Sequence, residues 1–235
     1  MSILRTLLLL PALALVGSLA AVISANANPG EFRNNPPRTV VIGIDLSTSN
    51  PLVRDDGFAA RVAERIHPMI ANLAPRSRVM LRSFGAYNSQ ANSALTLDIV
   101  IAPKLHPAPA TADFLRTVIA AVPQMVRQGR VQTQNATNIV PFLMNIAKVV
   151  DCRAMPTQII LASDGVEDSQ VANLARRSAT LPAPASAPFP GCEELAILGI
   201  GRGLNSPGDT ERLRGEWAFW AQAAGFQHFT GLNDW

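Results

Sequence analysis

Short apolar runs of strand length alternate along this chain with longer segments of helical period, and that alternation leaves few folds open. "RTVVIGID" ends at Asp45 and is followed by "DGFAARVAERIHPMIANLA", where Phe58, Val62, Ile66, Met69 and Leu73 recur at helical spacing. "SRVMLRSFG" and "SALTLDIVI" read as two strands joined through "AYNSQAN", a link short enough for an antiparallel pair. "TADFLRTVIAAVPQMVRQG" is the next helix, with Thr111 or its neighbourhood as cap, a kink at Pro123 and Gly129 as terminator. After the polar stretch "RVQTQNAT" come a shorter helix, "NIVPFLMNIAKVV", and a fourth strand, "TQIILASDG". A charged turn and a short helix are expected next, then a loop, "LPAPASAPFPGC", whose prolines forbid regular structure. "ELAILGIG" is the fifth strand, "DTERLRGEWAFWAQAAG" the last helix and "FQHFTGL" the sixth strand. Such alternation predicts an α/β domain with a mostly parallel sheet.

The first 27 residues carry one charge, Arg5, then an apolar stretch from Leu7 to Ile23 and a small-residue site, Ala25-x-Ala27. This reads as a cleaved secretory signal over residues 1–27, with an uncleaved membrane anchor as the alternative. Residues 28–37 form an extension and residues 38–235 a single domain, since about 208 residues suffice for one core. The expected location is periplasmic or extracellular, with contact to membrane only through an uncleaved signal segment.

Charge excludes one class of partner. The chain has 20 Lys and Arg against 17 Asp and Glu, and the basic residues are scattered, with few aromatics among them. Neither an electrostatic footprint nor a stacking platform for nucleic acid is present. Two cysteines in an exported chain favour a bridge between Cys152 and Cys192, with free buried thiols as the alternative.

Chemistry concentrates where the first strand surfaces, at "VVIGIDLSTSN". A carboxylate at Asp45 with hydroxyls at Ser47 and Ser49 admits three readings. A phosphate loop of an actin-like ATPase would want glycine where Ser47 stands, and needs two lobes. An aspartyl nucleophile of a dehalogenase-like phosphatase would want a second acid at that position. A metal site fits without such omissions: neutral hydroxyls and carboxylates supply oxygens, and more arrive from Thr137, where the polar loop turns into a helix, and from Asp164, at the end of the fourth strand.

These five positions, in this order, resemble the von Willebrand factor A domain with its metal-ion-dependent adhesion site, a DxSxS motif followed by a threonine and an aspartate. The resemblance spans about residues 38 to 230. It implies a doubly wound, mostly parallel six-stranded sheet in the order 3-2-1-4-5-6, with one antiparallel edge strand and helices on both faces. It implies direct ligation of Mg2+, or alternatively Mn2+, by Ser47 and Ser49, with Thr137 direct or through water and Asp45 and Asp164 through water. An Asp or Glu carboxylate of a protein partner would complete the coordination. Glu167 and Asp168 are the expected rim residues that discriminate among partners. The resemblance also puts Cys152 and Cys192 at the ends of adjacent strands opposite the metal. Only "GLNDW" follows the last strand, so a constitutive site is expected in place of one switched by a sliding terminal helix. The implied function is protein binding without catalysis, in the assembly of an envelope complex. A metal-dependent hydrolase using Asp45, and a scaffold with an unused site, are the rivals. The glycines of "GIGRGLNSPG" read as a tight crossover loop, the three histidines as ordinary residues, and Trp217 and Trp220 as packing.

Overall fold

The computed structural model describes residues 36–235, apart from Asn88 and Asn205. The expected signal segment, residues 1–27, and most of the expected extension lie outside these residues. Six strands, β1 (Thr39–Asp45), β2 (Arg78–Phe84), β3 (Thr96–Val100), β4 (Thr157–Ala162), β5 (Glu194–Leu198) and β6 (His228–Leu232), form one sheet in the order β3-β2-β1-β4-β5-β6. All neighbours are parallel except β2 and β3. The expected strand order, with its antiparallel edge, is the one found.

Period-two alternation divides the central strands between two cores. Val40, Ile42 and Ile44 of β1, with Ile160 and Ala162 of β4, face α1 (Asp56–Ala71), α2 (Ala108–Ala120) and α3 (Val122–Arg127). Val41, Ile159 and Leu161 face α4 (Ile139–Ile146) and α5 (Pro207–Ala224). Trp217 and Trp220 pack edge to face, 5.8 Å apart and closed to solvent, inside the second core. Gly43 lets α4 sit close to β1: a Cβ there would fall 2.7 Å from Leu161 Cδ2 and 2.8 Å from Phe142 Cε1.

Helix ends follow local chemistry with two departures. Asp55 caps α1 by accepting from the Phe58 N–H at 2.9 Å. Pro123 sits in the first turn of α3 and separates it from α2, and Gly129 adopts φ 68° just after α3. Thr111, however, is not a cap. Helix α2 begins three residues earlier, after Pro107, and Thr111 is buried within it. No helix follows β4 either: residues 166–180 form a loop, because Asp168 and Ser169 bond locally to Asn173 and Val171 and compete with helical bonding.

The proline-rich loop lacks regular structure, as expected. It is tied to β4's approach by the Cys152–Cys192 disulfide, at the amino ends of β4 and β5. That bridge lies at the opposite end of the sheet from Asp45. No helix among the described residues is long and apolar enough to cross a membrane.

Candidate metal centre

Strand order reverses between β1 and β4, so their carboxyl ends open a crevice with no strand crossing it. Ile44 pairs with Ala162, which brings Asp45 beside Ser163 and Asp164. Asp45 is fully buried and both its oxygens are engaged. Oδ1 accepts from the Ser47 N–H at 2.8 Å, and Oδ2 accepts from the Ser163 hydroxyl at 2.6 Å.

The loop after Asp45 turns back on itself. The Ser47 and Ser49 hydroxyl oxygens lie 3.1 Å apart; Ser47 is buried, whereas Ser49 faces solvent. Asn50 fixes the turn. Its amide donates to the carbonyls of Asp45 at 2.8 Å and Ala162 at 3.1 Å, and its Oδ1 accepts from the Leu52 N–H.

Asp164 is also buried, and its Oδ1 accepts from the Val166 N–H at 2.9 Å. The Ser49 hydroxyl and the Arg54 guanidinium lie near enough to favour its charged form. Gly165, next in the chain, adopts φ 73°, a conformation that favours glycine. Its carbonyl accepts from the buried Trp217 indole at 2.7 Å, and its N–H donates to Ser163 Oγ at 3.0 Å. Helix α5 thereby latches the loop that carries Asp164.

Thr137 is held by a backbone frame. The Gln134 N–H donates to the Leu46 carbonyl and the Thr48 N–H to the Gln134 carbonyl, so the polar loop runs beside Ser47. Three residues later, Thr137 exchanges two backbone hydrogen bonds with Asp168, at 3.1 and 2.9 Å. Asp45, Ser47, Ser49 and Asp164 are thus linked by direct hydrogen bonds or charge, while Thr137 joins them through its loop.

The electrostatics of the pair follow from burial. Asp45 is pushed up from 3.8 to about 7, first by loss of solvent and then by the Asp164 carboxylate, against the opposing bonds from Ser163 and Ser47. Asp164 is raised as well, again by burial, with Val166, Ser49 and Arg54 opposing. Two adjacent buried carboxylates accept such a cost when a cation or a proton neutralises them. Among the described residues, no three His, Cys, Asp or Glu side chains come together as a metal cluster. Any cation at this crevice would therefore draw on hydroxyl oxygens, and an all-oxygen set of hydroxyls and carboxylates suits a hard divalent ion.

One rim expectation is corrected. Asp168 is exposed, but Glu167 is fully closed to solvent and cannot meet a partner. Its carboxylate turns inward, where it accepts from the Val140 N–H at 2.9 Å and from the Ser169 hydroxyl. Burial raises it from 4.5 to about 7. Ser163, Asn50 and Gln134 are absent from the sequence expectations, and Trp217, expected only to pack, also donates to the Gly165 carbonyl. Asn50 and Gln134 stood in polar stretches already of interest, but Ser163 and Trp217 look like any small or aromatic core residue.

No family model matches the chain, and no curated protein matches it. Two crystal structures of the pilus adhesin SpaC from Lactobacillus rhamnosus GG are similar to it at 12% identity over 86% of this chain, with TM-scores of 0.45, in an open conformation, and 0.47. The human COPII-coat protein Sec24c is similar at 12% identity over 81% of this chain, with a TM-score of 0.37. The chain spans 28%, 29% and 32% of the length of these three structures. The fold assignment rests on the strand order and register described above.

Proposed function

We propose that this chain is an exported protein-binding module of the von Willebrand factor A type, built around a metal-ion-dependent adhesion site. Asp45, Ser47, Ser49, Thr137 and Asp164 would hold the ion, Mg2+ in first place and Mn2+ as the alternative. The ligand it recognises is an Asp or Glu carboxylate of a protein partner, in the assembly of an envelope complex. The observation that carries this reading is a pair of hydroxyl oxygens, 3.1 Å apart, beside two buried carboxylates whose proton affinities are raised.

The residues divide the work. Ser47, Ser49 and Thr137 offer neutral lone pairs, so they add no charge that would cancel the ion's attraction for an outside anion. Asp45 and Asp164 balance its charge from behind, and the ion favours their ionised forms. When bound, the ion supplies a strong electrostatic attraction for one carboxylate oxygen of the partner. Asp168, exposed beside Thr137, sets the charge that the partner's neighbouring residues must complement. The disulfide supports an oxidising compartment and hence export.

Use of Asp45 as a hydrolytic nucleophile is disfavoured by its surroundings. Both carboxylate oxygens are hydrogen-bonded and the side chain has no solvent exposure, so neither oxygen is presented to a substrate.

Calorimetric titration of the full chain with Mn2+ and Mg2+, repeated on Ser49→Ala and Thr137→Ala, tests the reading. The expected result is one site per chain, weakened about 10-fold or more when either hydroxyl is removed. Binding that ignores both substitutions would reject the assignment. Release of phosphate from a simple phosphate ester, abolished in Asp45→Asn, would favour the hydrolase instead.

A further inference from the structure

Glu167 is a buried carboxylate that the proposed ligand set does not use, and its place in the fold is specific. Helix α4 has no side-chain cap of its own, because Asn138 at its amino end makes no capping hydrogen bond. An orphan donor is met instead from another loop: Glu167 Oε2 accepts from the Val140 N–H at 2.9 Å. Ser169 occupies the other oxygen, and the Glu167 carbonyl accepts from the Leu174 N–H at 2.8 Å. One residue further on, Asp168 and Thr137 exchange their backbone hydrogen bonds.

Two loops are thereby fastened together, one carrying Thr137 into α4 and the other carrying Asp164 out of β4. A Ser or Asp at position 138 would cap α4 more cheaply than a carboxylate taken wholly out of water. The costlier arrangement does what a local cap cannot, which is to fix the spacing between the two loops.

We propose that Glu167 is a positioning residue: by anchoring the first turn of α4 to the loop after Asp164, it holds Thr137 in register with Asp164 and the two serines. This inference rests on the metal-site reading. It goes beyond that reading by assigning a role to a side chain that touches neither ion nor partner.

The test is a Mn2+ titration of the full chain as wild type, Glu167→Ala and Glu167→Gln, each also in a Thr137→Val background. Hydrogen exchange at the Val140 amide is measured in metal-free protein alongside. Loss of a supporting group of this kind is expected to lower affinity about 10-fold to 100-fold in Glu167→Ala. Glu167→Gln, which keeps an acceptor of the same reach, restores most of it. In the Thr137→Val background the same Ala substitution should change affinity by less than about threefold, because coupled residues are not additive. The Val140 amide exchanges faster in Glu167→Ala and regains protection in Glu167→Gln. If Glu167→Ala does not fold, Glu167→Asp, one methylene shorter, decides by the same comparisons.

A folded Glu167→Ala that binds Mn2+ as wild type does, or that loses equally in both backgrounds, overturns the inference and leaves the metal site standing. A wild type that binds no metal overturns the site itself and this role with it.

Discussion

At the residue scale, two carboxyl groups dominate how this molecule should respond to pH. Asp45 and Glu167 are each raised to about 7, from 3.8 and 4.5. Between those values the folded state holds protons that the unfolded state has released. Their contribution to stability is therefore fully present below about pH 4 and is lost as pH rises toward 7. Urea unfolding of metal-free protein should give a lower midpoint at pH 8 than at pH 5, with a smaller difference in Asp45→Asn. With Mg2+ present, the decline should shrink, because the ion favours the ionised pair. A midpoint in wild type that does not depend on pH would contradict these shifts. Ser163 offers a second residue-scale prediction. Ser163→Ala removes the donor at 2.6 Å from Asp45 Oδ2 and leaves a buried acceptor unmet, which should cost about 1–3 kcal/mol in denaturant unfolding. DxSxS was legible because it placed three oxygen-bearing side chains on one turn at a strand end. Ser163 was not, because a serine next to Asp164 carries no pattern that separates a hydrogen-bond donor from a filler.

At the scale of elements, strands were legible and loops less so. The apolar runs of β1 and β4 are buried on both faces, and such runs have few other homes. Thr111 was misjudged because a threonine before an apolar period looks like a cap, whereas Pro107 and Pro109 had already started the helix. The expected helix after β4 was lost to a local bond from Asn173 and to hydrogen bonds from Thr137 and Arg212, the last two of which come from other segments and leave no local trace. Glu167 looks like a rim residue in sequence for the same reason, since its partner, the amino end of α4, lies 27 residues away. Helix α5 also reaches into the crevice, through the Trp217 bond to the Gly165 carbonyl. Trp217→Phe keeps the ring and removes the donor. It should cost about 1–3 kcal/mol and speed hydrogen exchange at Val166; unchanged exchange there would detach α5 from the Asp164 loop.

At the scale of the whole molecule, the sheet separates a stapled end from a chemical one. Cys152 and Cys192, 40 residues apart, join the approaches to β4 and β5 at the end remote from Asp45. On the chain-entropy account, a Cys152→Ser, Cys192→Ser double variant should lose about 3–4 kcal/mol in denaturant unfolding and keep its affinity for Mn2+. A variant equally stable, or one that lost the metal, would show that the two ends are not independent. The overall winding was legible from the alternation of strands and helices, and the approach of Asp45 to Asp164 follows once β1 and β4 become neighbours. The most direct test is thermal unfolding of the full chain with and without Mg2+, on wild type and Asp45→Ala. At about 100 times its dissociation constant, a bound ion adds roughly 2.7 kcal/mol, a rise of about 5–10 °C for a domain of this size. The metal-site account predicts that rise in wild type and its disappearance in Asp45→Ala, whatever the variant's own starting stability. Equal rises in both proteins, or none in wild type at saturating Mg2+ and Mn2+, would contradict it.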